Sequence, residues 1–94
     1  MRIISGKYKG RRLQAPKNLP VRATADRAKE ALFNILNNHL NFGELKILDL
    51  FSGTGNIAYE FASRGATPLV AVDADMGCVN FIRKISNEFD FDIT

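Results

Sequence analysis

The chain has 94 residues, 46% hydrophobic and 24% charged, at a formal net charge of +3, which is enough for one modest globular domain and no more. No apolar run approaches the roughly 20 residues of a membrane-spanning helix, and the basic N-terminus lacks the apolar core of a signal peptide. Cys78 stands alone, which excludes a disulfide framework within the chain, so the expected setting is reducing and cytoplasmic.

The charge is unevenly spread. Residues 1–29 carry nine Lys and Arg against Asp26 alone, a net of +8, whereas residues 30–94 carry four basic and nine acidic residues, a net of −5. A basic arm on an acidic body suits binding to a phosphate backbone. Within the arm, Arg2–Ser5 and Arg11–Gln14 read as the two sides of a β-hairpin, joined by Gly6-Lys7-Tyr8-Lys9-Gly10 and ended by Pro16. Tyr8 between Lys7 and Lys9 is an aromatic interleaved with cations, a pattern that stacks on an unpaired base. The plainer alternative is a solvated basic hairpin with Tyr8 packed on the body. Residues 1–23 are thus an arm and linker, and 24–94 the domain proper.

A helix is predicted from Thr24, its N-cap, with Asp26 in the first turn and Ala28, Ala31, Leu32, Ile35 and Leu36 as its apolar stripe. The lone histidine, His39, lies at its far end with no second ligand nearby, so it reads as a surface residue rather than a metal site. Then comes the central stretch. Ile47, Leu48 and Leu50 form the short apolar run of a strand covered on both faces. Gly53 and Gly55 supply a loop without side chains, and Ile57, Ala58, Phe61 and Ala62 have helical period up to a stop at Gly65.

Leu69–Val72 is a second apolar strand ending on Asp73, twenty residues after Gly53. That is the offset at which a carboxylate holds a ribose hydroxyl in nucleotide-type α/β folds. Asp49, at the carboxyl end of the first strand, would repel a pyrophosphate beside the loop and suits a phosphate-free cationic ligand. S-adenosylmethionine has that character, with Asp49 toward its amino-acid end and Asp73 toward its ribose. No Gly-Lys-Ser/Thr follows the glycines, so this is not a P-loop. Asp75 to Asn87 is a further helix, capped by Asp75 and lined by Cys78, Val79, Ile82, Ile85 and Phe89. Residues 89–94 alternate like the start of another strand.

These motifs resemble the RsmD family of bacterial ribosomal RNA methyltransferases, over essentially the whole chain. Met1–Leu13 looks like that family's N-terminal hairpin. Arg22-Ala23-Thr24-Ala25-Asp26-Arg27 through Leu36 looks like its R-x-T-x-D-R-x-x-E-A-L-F-N-x-L helix. Asp49-Leu50-Phe51-Ser52-Gly53-Thr54-Gly55 looks like its D-L-F-[AS]-G-[ST]-G cofactor motif. The resemblance implies an α/β class I (Rossmann-like) methyltransferase fold with an N-terminal β-hairpin extension, present here in part. It also implies methylation of a guanine N2 amine in small-subunit (16S) ribosomal RNA with S-adenosylmethionine as donor. Cofactor contacts are expected at Asp49, Phe51, Gly53, Gly55 and Asp73, and RNA contacts at Lys7, Tyr8, Lys9, Arg11, Arg12, Arg22 and Arg27.

The family's (N/D)-P-P-(Y/F) motif, which holds the target amine, has no counterpart, because the sequence contains no Pro-Pro. The chain is therefore expected to be an N-terminal portion that does not methylate by itself. It is also expected to self-associate through an unpaired edge of the first strand. Two other readings compete. A nicotinamide-dependent oxidoreductase would use Gly53-x-Gly55-x-x-Ala58 and Asp73 but leaves Asp49 and the basic arm unexplained. A non-catalytic RNA-binding module would keep the arm and treat the glycine loop as structural.

Overall fold

The computed structural model describes residues 1–14, 26–50, 52–91, 93 and 94. The body is built from helix α1 (Asp26–Asn37), strand β1 (Ile47–Asp49), helix α2 (Asn56–Ser63), strand β2 (Leu69–Ala71) and helix α3 (Met76–Phe89). β1 and β2 are parallel, with Ile47 beside Leu69, Leu48 beside Val70 and Asp49 beside Ala71. Parallel neighbours need a crossover, and α2 provides it. After α3 the chain returns to the sheet, where Ile93 bridges Leu69 in parallel and Thr94 exchanges 2.9 Å backbone bonds with Leu69 and Ala71. Where the sequence pattern suggests the start of a third strand, the described residues form an isolated bridge at Ile93, and Phe89 closes α3 rather than opening a strand.

Each helix end has a local cause. Gly55, at φ +87°, leads into α2 with no side-chain cap. At the other end Gly65, at φ +97°, lets its own N–H reach the Ala62 carbonyl and the Ala66 N–H reach Phe61, which is the paired closure a left-handed glycine permits. α3 starts as predicted on Asp75, whose side chain accepts the Cys78 N–H at 3.0 Å. Cys78, Phe81, Ile82, Ile85 and Phe89 are its buried side.

The basic hairpin is not a projecting arm. Its sides pair through an antiparallel Arg2–Arg12 bridge and through bonds such as Ile3 N–H to the Arg11 carbonyl at 2.9 Å. Ile3 and Leu13 then enter one core with Tyr59, Phe81, Ile82, Ile85 and Phe89. Tyr8 packs on that core too, stacked on Phe89 at 5.3 Å and edge-on to Phe91 at 5.2 Å. The alternative in which Tyr8 rests on the body is the observed one, and its ring is not a bare platform for a base. A second, aromatic cluster joins Phe33, Phe42 and Phe61, with the Arg64 guanidinium 4.6 Å from the Phe33 ring.

Two expectations about apolar faces are corrected. The predicted stripe of α1 faces outward: Ala28, Ala31, Leu32 and Ile35 are exposed and Leu36 is half-buried, while the helix buries Lys29 and Phe33. β1 is not covered on both faces either, since Leu48 is 61% and Leu50 55% exposed. Both follow from where partners lie. The aromatic cluster and a polar contact hold α1 from its other side, and among the described residues nothing covers the Leu48–Val70 face of the sheet. The expected cap Thr24 lies outside the described residues. His39 is exposed just past α1, as a surface residue should be, and the described residues hold no metal-binding cluster. Among the described residues no helix is long and apolar enough to cross a membrane.

Candidate functional site

The candidate site forms where the carboxyl ends of β1 and β2 meet the start of α2. In a parallel α/β sheet the loops at these ends diverge around a crevice, so ligands gather there. The backbone carries β1 and β2 beyond their paired residues: Val72 N–H donates to the Asp49 carbonyl at 2.8 Å and Ser52 N–H to the Val72 carbonyl at 3.0 Å. Residues 52–55 then fold into a tight loop closed by Gly55 N–H to the Ser52 carbonyl at 2.8 Å. Gly53 has φ +55° and Gly55 φ +87°, values an L side chain rarely adopts. A Cβ on Gly55 would also lie 2.6 Å from Cζ of Tyr59, so this position is closed on steric grounds as well.

Asp73 organises the loop from the neighbouring strand. Its Oδ2 accepts the Gly53 N–H at 2.8 Å, and its Oδ1 accepts the Asp75 N–H at 2.9 Å. One carboxylate therefore ties the glycine loop to the start of α3. Two backbone bonds use about half of its acceptor capacity, leaving lone pairs for a pair of vicinal hydroxyls. Asp49 is half-buried at the end of β1, across the strand pair from Ala71. Asp49, Gly53, Gly55 and Asp73 are thus brought to one end of the fold. Phe51, the fifth expected cofactor residue, lies outside the described residues.

The residues expected to meet RNA divide differently. Lys7, Lys9, Arg11, Arg12 and Arg27 are exposed, and Arg22 lies outside the described residues. Lys7 and Tyr8 hydrogen-bond by their N–H groups to Ser63, at the end of α2 away from the glycine loop. Arg11 rests near the Phe89 ring at 5.7 Å. Lys29, counted in the basic arm by sequence, is interior and 0% exposed.

A buried polar group beneath the loop escaped the sequence reading. The Lys29 ammonium donates to Oδ1 of Asn56 at 2.7 Å and to the Arg2 carbonyl, and it pairs with Glu60 at 3.3 Å. Glu60, also 0% exposed, accepts the Ile4 N–H at 2.8 Å, the Ser5 N–H at 3.0 Å and Nε of Arg64 at 2.8 Å. Burial pushes the Lys29 ammonium below its usual range, against the opposing pull of Glu60. The one signal available in sequence was the Glu60–Arg64 spacing of a helical ion pair, which says nothing of burial. Elsewhere, burial raises the Tyr59 phenol and the Cys78 thiol, so neither is ionised near neutral pH.

Asp73 keeps acceptor capacity beside the loop and Asp49 lies at the same end of the strands, so the described residues can accommodate a ligand that brings hydroxyl donors or a cationic group. Two carboxylates, Asp49 and Asp73, lie at the loop, and its Gly53 and Gly55 N–H groups are already bonded, to Asp73 and to the Ser52 carbonyl.

The family described as "Conserved hypothetical protein 95" matches residues 1–93. A Bacillus subtilis (strain 168) relative named "Putative rRNA methyltransferase YlbH" is 37% identical over 83 residues, covering 88% of this chain and 44% of the relative. A Haemophilus influenzae relative named "Ribosomal RNA small subunit methyltransferase D" is 36% identical over 84 residues, covering 89% of this chain and 42% of the relative. The solved Escherichia coli protein described as "Putative methyltransferase yhhF" superposes with a TM-score of 0.81 at 27% identity, covering 100% of this chain and 50% of its own. The chain therefore spans less than half the length of these two sequence relatives and half of that structure. With a family match over residues 1–93 and a methyltransferase fold superposing on its whole length, the chain belongs to the RsmD family.

Proposed function

We propose that this chain supplies the cofactor-binding and RNA-docking half of an S-adenosylmethionine-dependent enzyme that methylates a guanine N2 amine in small-subunit ribosomal RNA. The observation that carries the cofactor reading is the Asp73 carboxylate, bonded at once to Gly53 of the loop and Asp75 of the next helix. Asp73 would take the ribose hydroxyls and Asp49 the amino-acid end, while Gly53 and Gly55 would admit the ligand against backbone. The cofactor, when bound, supplies an electrophilic methyl on its sulfonium.

The chain's own share is positioning, which is where the rate of such a transfer arises. No residue is assigned as the acceptor of the amine proton, and the amine-holding (N/D)-P-P-(Y/F) motif is absent from these 94 residues. The chain alone is thus expected to bind without transferring a methyl group. Exposed Arg11, Arg12 and Arg27 are the candidate phosphate contacts. Small-subunit RNA as substrate is drawn from the relatives' names, and it would place the protein in the cytoplasm. A base whose amine is paired must be unpaired or flipped to react.

The test is calorimetric titration of the chain with S-adenosylmethionine, with NAD as control. Binding of the former alone, lost in Asp73→Ala, is the expected result. Binding of NAD in its place would revive the oxidoreductase reading. Salt-dependent RNA binding with no nucleotide affinity would leave the RNA-binding module.

A further inference from the structure

We infer that Lys29 is a positioning residue that locks the basic arm and the glycine loop into one unit. An ammonium has three donors, and Lys29 has three acceptors: the Arg2 carbonyl in the arm, Oδ1 of Asn56 and Oε1 of Glu60. A carboxylate offers about four acceptor positions. Glu60 fills them with Ile4 N–H and Lys29 on Oε1, and with Ser5 N–H and Arg64 on Oε2. Among the described residues this buried ion pair has no spare valence, and a fully satisfied buried network specifies one arrangement of the elements it joins.

The elements it joins are those of the proposed function. Asn56 is the first residue of α2 and follows Gly55 directly, so Lys29 holds the exit of the loop. Arg2, Ile4 and Ser5 are in the hairpin that presents Arg11 and Arg12. A second contact runs in parallel, since Thr54 of the loop donates to the Met1 sulfur at 3.6 Å. Further along α2, Ser63 Oγ donates to the Ser5 carbonyl at 2.7 Å and accepts the Tyr8 N–H at 3.0 Å. The arm lies along α2 with its backbone read by Glu60 and Ser63, and Lys29, from α1, bonds the arm at the Arg2 carbonyl and the loop exit at Asn56. RNA and cofactor would therefore meet one rigid body rather than a fixed site and a loose arm. That last step rests on the proposed function; the joint itself does not.

The experiment is amide hydrogen exchange on the free chain, compared between wild type, Lys29→Met and Lys29→Arg. In Lys29→Met, the Ile4 and Ser5 amides of the arm and the Gly53 and Gly55 amides of the loop should lose protection together, by about tenfold or more, while α3 keeps its own. Lys29→Arg should restore part of the protection at both ends. Asn56→Ala keeps Lys29 and Glu60 and serves if Lys29→Met does not fold: it should loosen Gly55 and leave Ile4 and Ser5 protected. Loosening of the arm alone in Lys29→Met, or of neither end in Asn56→Ala, would overturn the inference. This readout needs no ligand, so it is separable from the titration of the proposed function. If wild type binds S-adenosylmethionine, Lys29→Met should weaken that binding well below its unfolding temperature, and unchanged affinity would count against the joint.

Discussion

At the scale of single residues, the loop is held open from beneath by Tyr59. Its side chain is 0% exposed, it leaves no room for a Cβ on Gly55, and its hydroxyl has no hydrogen-bond partner among the described residues. A buried hydroxyl left unpaired costs about 1–3 kcal/mol. Tyr59→Phe keeps the ring and removes that cost, so it should stabilise the protein by about 1 kcal/mol, read as a higher urea midpoint at an unchanged slope. Cys78 behaves as a small apolar residue. Its thiol is 0% exposed, and burial raises its pKa from the ordinary 9.0. Native protein at pH 8 should react with a thiol reagent only at the rate at which it opens, and in urea the reaction should become fast. The sign for stability follows from linkage. The folded state keeps its proton to higher pH than the unfolded one, so the stability tied to this thiol is present below pH 9 and is lost as pH climbs beyond it. Cys78→Ala should flatten the fall in melting temperature above pH 9.

At the scale of elements, the hairpin and α2 act as one piece, which fixes where cations can meet a phosphate chain. Arg11 and Arg12 are exposed on the returning side of the hairpin, whose other side is bonded to Glu60. If both contact phosphates, Arg11→Ala/Arg12→Ala should lower the slope of log affinity against log salt by about 1.4–1.8. Fluorescence anisotropy with a labelled small-subunit RNA segment across a salt series reads that slope, and an unchanged slope would remove both residues from the interface. The parallel strands, the glycine loop and the cap at Asp75 were legible in the sequence because each follows from a local rule: apolar runs, glycine at positive φ, a carboxylate before a helix. The orientation of α1 was not legible. Periodicity identifies the stripe of Ala28, Ala31, Leu32 and Ile35 but not what faces it, and here the opposite side is fixed by Phe33 in the aromatic cluster and by Lys29. Nor does sequence show that Lys29 belongs inside, since its partners Asn56 and Glu60 lie 27 and 31 positions away.

At the scale of the whole molecule, the described residues cover one face of the sheet and leave the other open. α2 packs against β2, whose Leu69 is 1% exposed, while Leu48 and Val70 stand 61% and 37% exposed. Apolar strand residues in the open favour association. The chain should therefore form oligomers in light scattering at high concentration, and Leu48→Lys/Val70→Lys should reduce them with little loss of stability, because neither side chain is buried. A monomer throughout the concentration range would remove the expectation of self-association. The hairpin's place on α2 has a consequence in time. Ile4 finds its acceptor on a residue 56 positions later in the chain. At a synthesis rate of about 5–20 residues per second, that acceptor is made roughly 3–11 s after the arm. The arm is thus made well before the residue that secures it, and until then its apolar Ile3 and Leu13 wait for a seat that does not yet exist.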